Sequence, residues 1–295
     1  MKEKESRIDE EEITTLRQHA RHIRELILLM IVRAGSGHPA SALGLADIVT
    51  ALYYKIMCYN PEDPEDPDRD LFVLSNGHVC PVIYATMAEL KMIPAPELLT
   101  LRKLGSRLQG HPERLLLPGI ETTSGPLGEG LSQAAGMAYS LKYLDKDNQR
   151  HVYCLVGDGE LDEGENWEAA AFAAKYGLDN LTVIVDYNRI QLSGKTKDIM
   201  PMAHLTGLWR NFGWNVYQLL DGNNMREVVD VLGQASQPVT EESHDFKPGA
   251  PNVVIAHTTP GYGVSFMEND YHWHGKAPTI AQAKAGIKEL EAMHV

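Results

Sequence analysis

An acidic, glycine-rich segment follows an apolar run: "VYCLV" leads into "GDGELDEGEN" at positions 157–166. Asp158 follows a predicted strand at 151–156, and Asn188 follows another at 181–185, with one helical stretch between them. Parallel strands end at the same sheet edge, so these side chains could be neighbours. An Asp carboxylate, an Asn amide oxygen and a backbone carbonyl form an oxygen set suited to Mg²⁺ or Ca²⁺. A solvated acidic loop is the alternative.

The other residues of this segment have simpler interpretations. Gly157 and Gly159 would allow the backbone to approach diphosphate oxygens, which Mg²⁺ often binds together with protein ligands. Glu160, Asp162 and Glu165 are interpreted as a helix start, where acidic residues are favourable.

Four of the twelve histidines stand beside glycine or proline in predicted turns: His38 in "SGHP", His78 in "NGHV", His111 in "QGHP" and His274 in "WHGK". Glycine allows the backbone to present such a ring to a ligand. Imidazole titrates near neutrality and therefore suits proton transfer. The remaining histidines are interpreted as surface or core residues: His19, His22, His151, His204, His244, His257, His272 and His294.

The elements that must position these residues alternate between strand and helix. Apolar runs such as "LFVLSNGH", "HVYCLV", "LTVIVDYN", "WNVYQLL" and "NVVIAHTT" indicate strands covered on both faces. Helical stretches separate the first strands, so we expect an α/β fold with a doubly wound, mainly parallel sheet and helices on both faces. Residues 1–295 are expected to form one domain with an N-terminal helical extension at about 9–58.

Two helices are predicted in that extension. Apolar residues at helical spacing from Ile13 to about Val32 indicate the first, which stops at the glycines of "GSG" at 35–37. Pro39 opens the second, which is predicted over 40–57.

Composition excludes several classes of partner. The net charge of −13 argues against nucleic acid, whose phosphates need a basic surface. No apolar run is long enough to span a membrane, and the first residues have no signal-peptide pattern. The three cysteines (Cys58, Cys80 and Cys154) are interpreted as reduced core thiols of a cytoplasmic protein.

The "GDG" at 157–159, followed after 28 residues by the Asn of "DYNRI", resembles the thiamine-diphosphate-binding motif. Further segments resemble the transketolase family in order: "SGHPASALGLADI", "DLFVLSNGHVCPVIYA", "GSRLQGHPE", "GIETTSGPLGEGLSQAAGMA" and "GYGVSFMENDYHWHGKAP". The resemblance covers residues 13 to 280. It implies the diphosphate-binding (PP-type) domain of the thiamine-diphosphate fold.

The resemblance also implies roles for individual residues. A divalent metal (Mg²⁺, or Ca²⁺ or Mn²⁺) would be held by Asp158, Asn188 and the carbonyl of Ile190, and would bridge the cofactor diphosphate. His78 and His274 would lie beside the diphosphate and the reactive carbon.

Further roles concern the substrate and the rest of the cofactor. His38 and His111 would contact the sugar, with His38 and His274 as candidates for proton transfer. The resemblance further assigns backbone contacts with the aminopyrimidine ring to Gly125 and Leu127, a substrate contact to Ser36, and a dimer-interface position to Glu163 and Glu168. For Glu163 and Glu168, a solvated helix start is an open alternative.

The resemblance implies that part of the active site lies on another polypeptide. In transketolases the acid that protonates the cofactor pyrimidine lies on a downstream pyrimidine-binding domain, and this sequence ends about where that domain should begin. We therefore expect an N-terminal subunit that is active only with a separate C-terminal subunit, in an α2β2 assembly. The expected reaction moves a two-carbon ketol unit from a ketose phosphate to an aldose phosphate.

Three alternatives stay open. The same chemistry could act on an unusual ketose phosphate in a catabolic pathway. The chain could instead resemble 1-deoxyxylulose-5-phosphate synthase, which the "SGHP" and "WHGKAP" segments fit less well. A non-catalytic α/β binding subunit is the alternative from another class.

Overall fold

A five-stranded parallel sheet forms the centre of the protein. The computed structural model describes residues 9–145, 149–202, 204–241 and 243–293. The strands of the sheet are β1 (Leu71–Leu74), β2 (Val152–Gly157), β3 (Leu181–Asp186), β6 (Asn215–Leu219) and β7 (Asn252–Ala256). Their order is β1-β2-β3-β7-β6, and every neighbouring pair is parallel. A separate antiparallel hairpin pairs β4 (Ile190–Gln191) with β5 (Gly194–Lys195).

Ten α-helices surround the sheet. They are α1 (Glu10–Ala34), α2 (Pro39–Gly44), α3 (Ala46–Ala51), α4 (Cys80–Glu89), α5 (Glu129–Tyr143), α6 (Gly164–Lys175), α7 (Thr196–Ile199), α8 (Leu205–Asn211), α9 (Met225–Ala235) and α10 (Ile280–Glu291). These helices and strands are those of the described residues only.

The sheet is buried on both faces. Tyr153 and Leu155 of β2 belong to one hydrophobic core, which also contains side chains of α1 to α4, α9 and α10. Cys154 and Val156, which alternate with them, belong to a second core with side chains of α5, α6 and α8. Since successive side chains of a strand point to opposite faces, helices cover both sides of the sheet. The predicted doubly wound α/β fold is confirmed.

The first predicted helix is present and the second is interrupted. Asp9 caps the start of α1, and Gly35 ends it in the left-handed conformation (φ 71°) that glycine adopts without steric cost. The stretch predicted as one helix over 40–57 consists of α2, α3 and a π-helical turn, Leu52–Ile56. The break follows Gly44, where an added Cβ would lie only 2.8 Å from the carbonyl oxygen of Thr259. The helix therefore ends where another segment lies against its backbone.

Other predictions had mixed outcomes. All three cysteines are free, but Cys58 is exposed, so its interpretation as a core thiol was wrong, whereas Cys80 and Cys154 are buried. Among the described residues, no helix is long and apolar enough to cross a membrane. His294 lies outside the described residues.

Candidate active site

The ends of β2 and β3 bring the predicted metal ligands together. Gly157 is paired in register with Asp186, and the Asp158 amide donates a hydrogen bond to the Asp186 carbonyl at 3.1 Å. Asp158 therefore leaves one strand where Asn188 follows the other. The two side chains lie at the same sheet edge, as the parallel strands required.

Hydrogen bonds to the chain orient both side chains. The carboxylate of Asp158 accepts from the amides of Gly159 (2.9 Å) and Arg189 (2.8 Å). The Asn188 side-chain nitrogen donates to Asp186 Oδ2 at 2.6 Å and to Ser41 Oγ at 3.2 Å. Asn188 Oδ1 accepts from the amide of Ile190 at 3.0 Å. The Asp186 carboxylate thus decides which way the Asn188 amide points.

Two acidic side chains, Asp158 and Asp186, are buried at this edge of the sheet, where their charged forms are unfavourable. Burial raises the pKa of Asp158 to about 7, and the nearby Asp186 carboxylate contributes to that rise. Burial also raises the pKa of Asp186 to about 7. Both carboxylates would gain stability as anions from a cation placed beside them. Sequence reasoning missed Asp186, although an acid that ends the apolar run "LTVIV" was a visible signal.

Three of the four singled-out histidines form a triangle. The ring centroids of His38 and His78 are 4.9 Å apart, those of His78 and His274 are 5.2 Å apart, and those of His38 and His274 are 5.6 Å apart. His38 immediately precedes α2, His78 lies in the turn between β1 and α4, and His274 ends a short 3₁₀ turn, Tyr271–Trp273. Loops distant in the sequence therefore meet here.

The histidines are held in the neutral form. Burial lowers the pKa of His38 to about 4, with a further contribution from His274. Burial lowers the pKa of His78 well below its usual value, and it also lowers the pKa of His111 and of His274. A neutral imidazole carries one donor and one acceptor nitrogen, so each ring can both give and accept a hydrogen bond.

A cavity of about 350 Å³ joins the histidines to the strand ends. The predicted residues that line it are His38, His78, His111, Gly125, Leu127, Gly157, Asp158, Gly159, Asn188, Ile190 and His274. The structure therefore brings together all the predicted site residues except Ser36, Glu163 and Glu168. Ser36 is half-buried outside the lining, and both glutamates are exposed near the start of α6.

The cavity also has lining residues that the sequence analysis did not single out: Ser41, Asn76, Asp186, Gln191 and Leu192. Gln191 and Leu192 come from the small hairpin, whose two-residue strands carry no periodic signal. A second cavity of about 570 Å³ also has Asp158 and Asn188 among its lining residues, but none of the four histidines lines it.

The structure contradicts the interpretation of Glu160 as part of an acidic, solvent-exposed helix start. Its side chain is buried, at 2% exposure, and also lines the cavity. It accepts hydrogen bonds from the amides of Gly128 (2.9 Å) and Gly157 (3.0 Å) and from the hydroxyl of Ser75. Glu165 is exposed in the first turn of α6, where the helix-start interpretation does apply.

The turn before α5 supplies the remaining wall of the cavity. Gly128 caps α5 with a φ of 94°, and an added Cβ would lie 2.9 Å from Cβ of Glu163. Only glycine combines this backbone with so close an approach. Gly125 and Leu127, which precede it, face the cavity, and the ring of His111 lies 3.7 Å from the position of a Gly125 Cβ.

Comparison with known proteins shows the family to which the chain is related. A family model described as "Transketolase, thiamine diphosphate binding domain" matches residues 15–291. The chain belongs to the transketolase family. Transketolase-like protein 2 of Bos taurus is 40% identical over 273 residues, which are 91% of this chain and 41% of that protein. A subunit of the apulose-4-phosphate transketolase of Actinobacillus succinogenes is 40% identical over 268 residues, covering 91% of this chain and 92% of the relative.

Solved transketolase structures share the fold. Transketolase from Leishmania mexicana superimposes with a TM-score of 0.85 at 30% identity, over 94% of this chain and 41% of that chain. Transketolase from Campylobacter jejuni gives a TM-score of 0.84 at 31% identity, over 94% of this chain and 42% of that one. The chain thus spans less than half the length of these transketolases and nearly the whole length of the Actinobacillus subunit.

Proposed function

We propose that this chain is the diphosphate-binding, N-terminal subunit of a thiamine-diphosphate-dependent transketolase. The observation that carries the proposal is the convergence of four histidines, Asp158 and Asn188 on one cavity at the carboxyl ends of β2 and β3. Ligands of open α/β sheets bind at such strand ends. The reaction is the reversible transfer of a two-carbon ketol unit from a ketose phosphate to an aldose phosphate.

Asp158, Asn188 and the carbonyl of Ile190 would hold the metal, Mg²⁺ or alternatively Ca²⁺ or Mn²⁺. The donor set fits, because carboxylate, amide and carbonyl oxygens are the ligands that these hard cations prefer. Burial disfavours the anionic forms of Asp158 and Asp186, so a cation bound beside them would stabilise both carboxylates. The described residues contain no cluster of three or more His, Cys, Asp or Glu that could hold a metal ion, which is compatible with a set containing one carboxylate.

Thiamine diphosphate fits the cavity for two reasons. Three buried polar atoms of lining residues have no hydrogen-bond partner within the described chain: His38 Nδ1, His274 Nδ1 and Asn76 Oδ1. Such atoms normally have partners, which ordered water or polar groups of a bound ligand would provide here. In addition, a Cβ added at Gly157 would lie no closer than 3.8 Å to another atom of the chain. The space beside this glycine is therefore open to a ligand.

The cofactor would be held along the whole cavity. His78, His274, Gly157 and Gly159 would face its diphosphate and reactive centre, and the backbone of Gly125 and Leu127 would contact its aminopyrimidine ring. Thiamine diphosphate supplies a carbon nucleophile that allows a carbon–carbon bond beside a carbonyl to be cleaved and re-formed.

The sugar would bind against the histidines. His38, His111 and His274 would contact its carbonyl and hydroxyl oxygens, and Ser36 would add a contact at the entrance. His38 and His274 would exchange protons with these oxygens, with His78 and His111 orienting the reacting groups. Lowered pKa values keep these rings neutral at pH 7, as acceptance of a proton requires.

A second polypeptide would complete the site. The Actinobacillus relative is itself named as one subunit of its enzyme and has nearly the same length as this chain. Its name supports a split enzyme with a separate C-terminal, pyrimidine-binding subunit. That subunit would carry the acid that activates the cofactor, and the assembly would be α2β2. Glu163 and Glu168 would lie at an interface, since both are exposed and Glu163 lies beside Gly128 in the cavity wall.

Two substrate assignments compete within the same chemistry. Sugar phosphates of the pentose phosphate pathway are the general expectation for a transketolase. The name of the Actinobacillus relative refers to apulose 4-phosphate, which favours a branched or otherwise unusual ketose phosphate as the second candidate. We further propose that residues 1–295 form one domain and that the protein is cytoplasmic, in agreement with its free cysteines.

The test is co-expression of the chain with a candidate C-terminal subunit, followed by a ketol-transfer assay with and without thiamine diphosphate and Mg²⁺. Activity should require both polypeptides, the cofactor and the metal. Activity of this chain alone would contradict the split-enzyme proposal. Failure of the complex to bind thiamine diphosphate would instead indicate a non-catalytic binding subunit.

A further inference from the structure

Glu160 connects three loops that line the cavity. Its Oε1 atom accepts hydrogen bonds from the Gly128 amide at 2.9 Å and from the Ser75 hydroxyl, and its Oε2 atom accepts from the Gly157 amide at 3.0 Å. The three donors come from the end of β1, from the turn before α5 and from the end of β2. A single carboxylate therefore connects segments that are far apart in the sequence.

Each connected loop carries part of the proposed cofactor site. Ser75 leads to Asn76 and His78, and Gly157 is followed by Asp158. Gly128 closes the turn that contains Gly125 and Leu127. The position of Glu160 thus relates the diphosphate end of the cavity to its aminopyrimidine wall.

The loop that carries Glu160 is itself fixed to α6. The side-chain nitrogen of Asn166 donates to the Glu160 carbonyl at 2.7 Å, and Asn166 is fully buried. The indole nitrogen of Trp167 donates to the carbonyl of Leu161 at 2.9 Å. The Glu160 carboxylate is therefore presented from a rigid support rather than from a free loop.

We propose that Glu160 is a positioning residue that sets the spacing of the three cofactor-binding loops through its carboxylate. The inference rests on the proposed function, because the loops matter only if the cavity binds thiamine diphosphate. Glu160 would act through the residues that touch the cofactor, which it would hold in place before binding.

The chemistry requires a carboxylate at this position. All three partners donate hydrogen bonds, and an ionised carboxylate is a side chain that accepts through both of its oxygens. A glutamine of the same shape would keep one accepting oxygen, but its NH₂ group would face an N–H or O–H donor. Such buried donors would then lack a partner, which destabilises the loop arrangement.

The experiment compares Glu160→Gln with Glu165→Gln in the complex of this chain with its C-terminal subunit. Glu165 lies in the same acidic segment but is exposed, so its variant removes an equal charge without these contacts. Calorimetric titration with thiamine diphosphate and Mg²⁺ gives the affinity of each protein. We expect Glu160→Gln to bind about 10-fold to 100-fold more weakly, as is usual when a partner of a binding residue is removed. Glu165→Gln should bind like the wild type.

Hydrogen exchange separates positioning from a general loss of stability. In Glu160→Gln, amides of segments 125–131 and 155–160 should exchange faster in the cofactor-free chain, whereas those of β3 and β7 should stay protected. Faster exchange throughout the sheet would show a merely structural role and would overturn the proposal. Glu160→Asp, which keeps the charge on a shorter side chain, should restore part of the affinity.

The outcomes also separate this inference from the proposed function. If the wild type binds the cofactor and Glu160→Gln binds it equally well, the role of Glu160 is wrong and the function stands. If the wild-type complex does not bind it with Mg²⁺, both fail. Should Glu160→Gln not fold, Ser75→Ala decides: a loss of about 3-fold to 10-fold, the value of one hydrogen bond, supports the role, and an unchanged affinity overturns it.

Discussion

Asp158, Asp186 and Glu160 accept hydrogen bonds from the chain at one end of the cavity, which we call the strand end. At the other, the histidine end, the Nδ1 atoms of His38 and His274 have no partner within the described residues. Both ends line the same cavity. The difference lies in how much of the hydrogen bonding the chain satisfies by itself.

This difference indicates that the two ends of the cavity have different functions. At the strand end, hydrogen bonds from neighbouring segments fix the carboxylates before any ligand arrives, so a metal would meet preorganised oxygens. At the histidine end, buried nitrogen atoms have no partner within the described chain, so their hydrogen bonds are left for ordered water or for a ligand that displaces it. The strand end is therefore expected to control binding, and the histidine end to control chemistry.

The strand end should give the largest effect when it is broken. Asp158→Asn removes the only carboxylate among the proposed metal ligands while keeping the shape of the side chain. We expect Mg²⁺-dependent binding of thiamine diphosphate to be lost in calorimetric titrations of the complex with the C-terminal subunit. Asp198→Asn is the matched control, because Asp198 is exposed on α7. Binding that survives in Asp158→Asn would contradict the metal assignment.

The histidine end should show the opposite behaviour. His274→Asn should reduce ketol transfer by the complex with its C-terminal subunit by about 10²-fold to 10⁴-fold, the usual contribution of a proton-transferring side chain. The affinity for thiamine diphosphate should change by less than about 10-fold, since the anchoring oxygens of the strand end remain. Both quantities are measured, by a coupled assay and by titration. A large loss of affinity with an unchanged turnover would reverse the roles of the two ends.

The two ends also differed in how far the sequence could predict them. Asp158 and Asn188 follow two strands that are consecutive in the main sheet, so their proximity follows from local patterns and the geometry of parallel strands. His38, His78 and His274 come from three loops that no local pattern relates. Their convergence was predictable only through the resemblance to transketolases.

Glu160 shows where sequence reasoning failed. Its neighbours in the sequence are acids and glycines, which are typical of an exposed helix start. Its partners Ser75 and Gly128 are far away in the sequence, and the burial that they create is a property of the tertiary structure.

Helix α9 is a simpler case, because Met225, Val228, Val229 and Leu232 already have helical spacing and a capping Asn224 precedes them.

Acid should weaken the histidine end of the folded protein. The pKa of His38 is lowered to about 4, below the ordinary value of 6.5, so the unfolded chain binds a proton more readily. Its contribution to stability is complete above pH 6.5 and is lost as the pH falls toward 4. This contribution of His38 lowers the melting temperature of the cofactor-free chain over this range, whereas the raised pKa values of Asp158 and Asp186 act in the opposite direction.

A variant identifies the part of this pH effect that belongs to His38. His38→Asn should make the melting temperature fall less, or rise more, between pH 6.5 and pH 4 than it does in the wild type, because one group that takes up a proton on unfolding has been removed. His244→Asn, at an exposed position, is the control and should leave the slope as in the wild type. Equal slopes for wild type and His38→Asn would contradict the proposed burial of a neutral His38.

The smallest effect on cofactor affinity is expected at Ser41, whose hydrogen bond connects the strand end with the histidine end. Ser41, on the helix that follows His38, accepts a hydrogen bond from Asn188 at 3.2 Å. Ser41→Ala removes this bond, but Asn188 keeps its stronger contact with Asp186. Chemical denaturation should show a loss of about 0.5 to 1.5 kcal/mol in the free energy of unfolding, and cofactor affinity should fall by less than about 5-fold. A loss of affinity as large as that of Asp158→Asn would mean that the two ends act as one hydrogen-bonded unit, so that binding and chemistry could not be assigned to separate ends of the cavity.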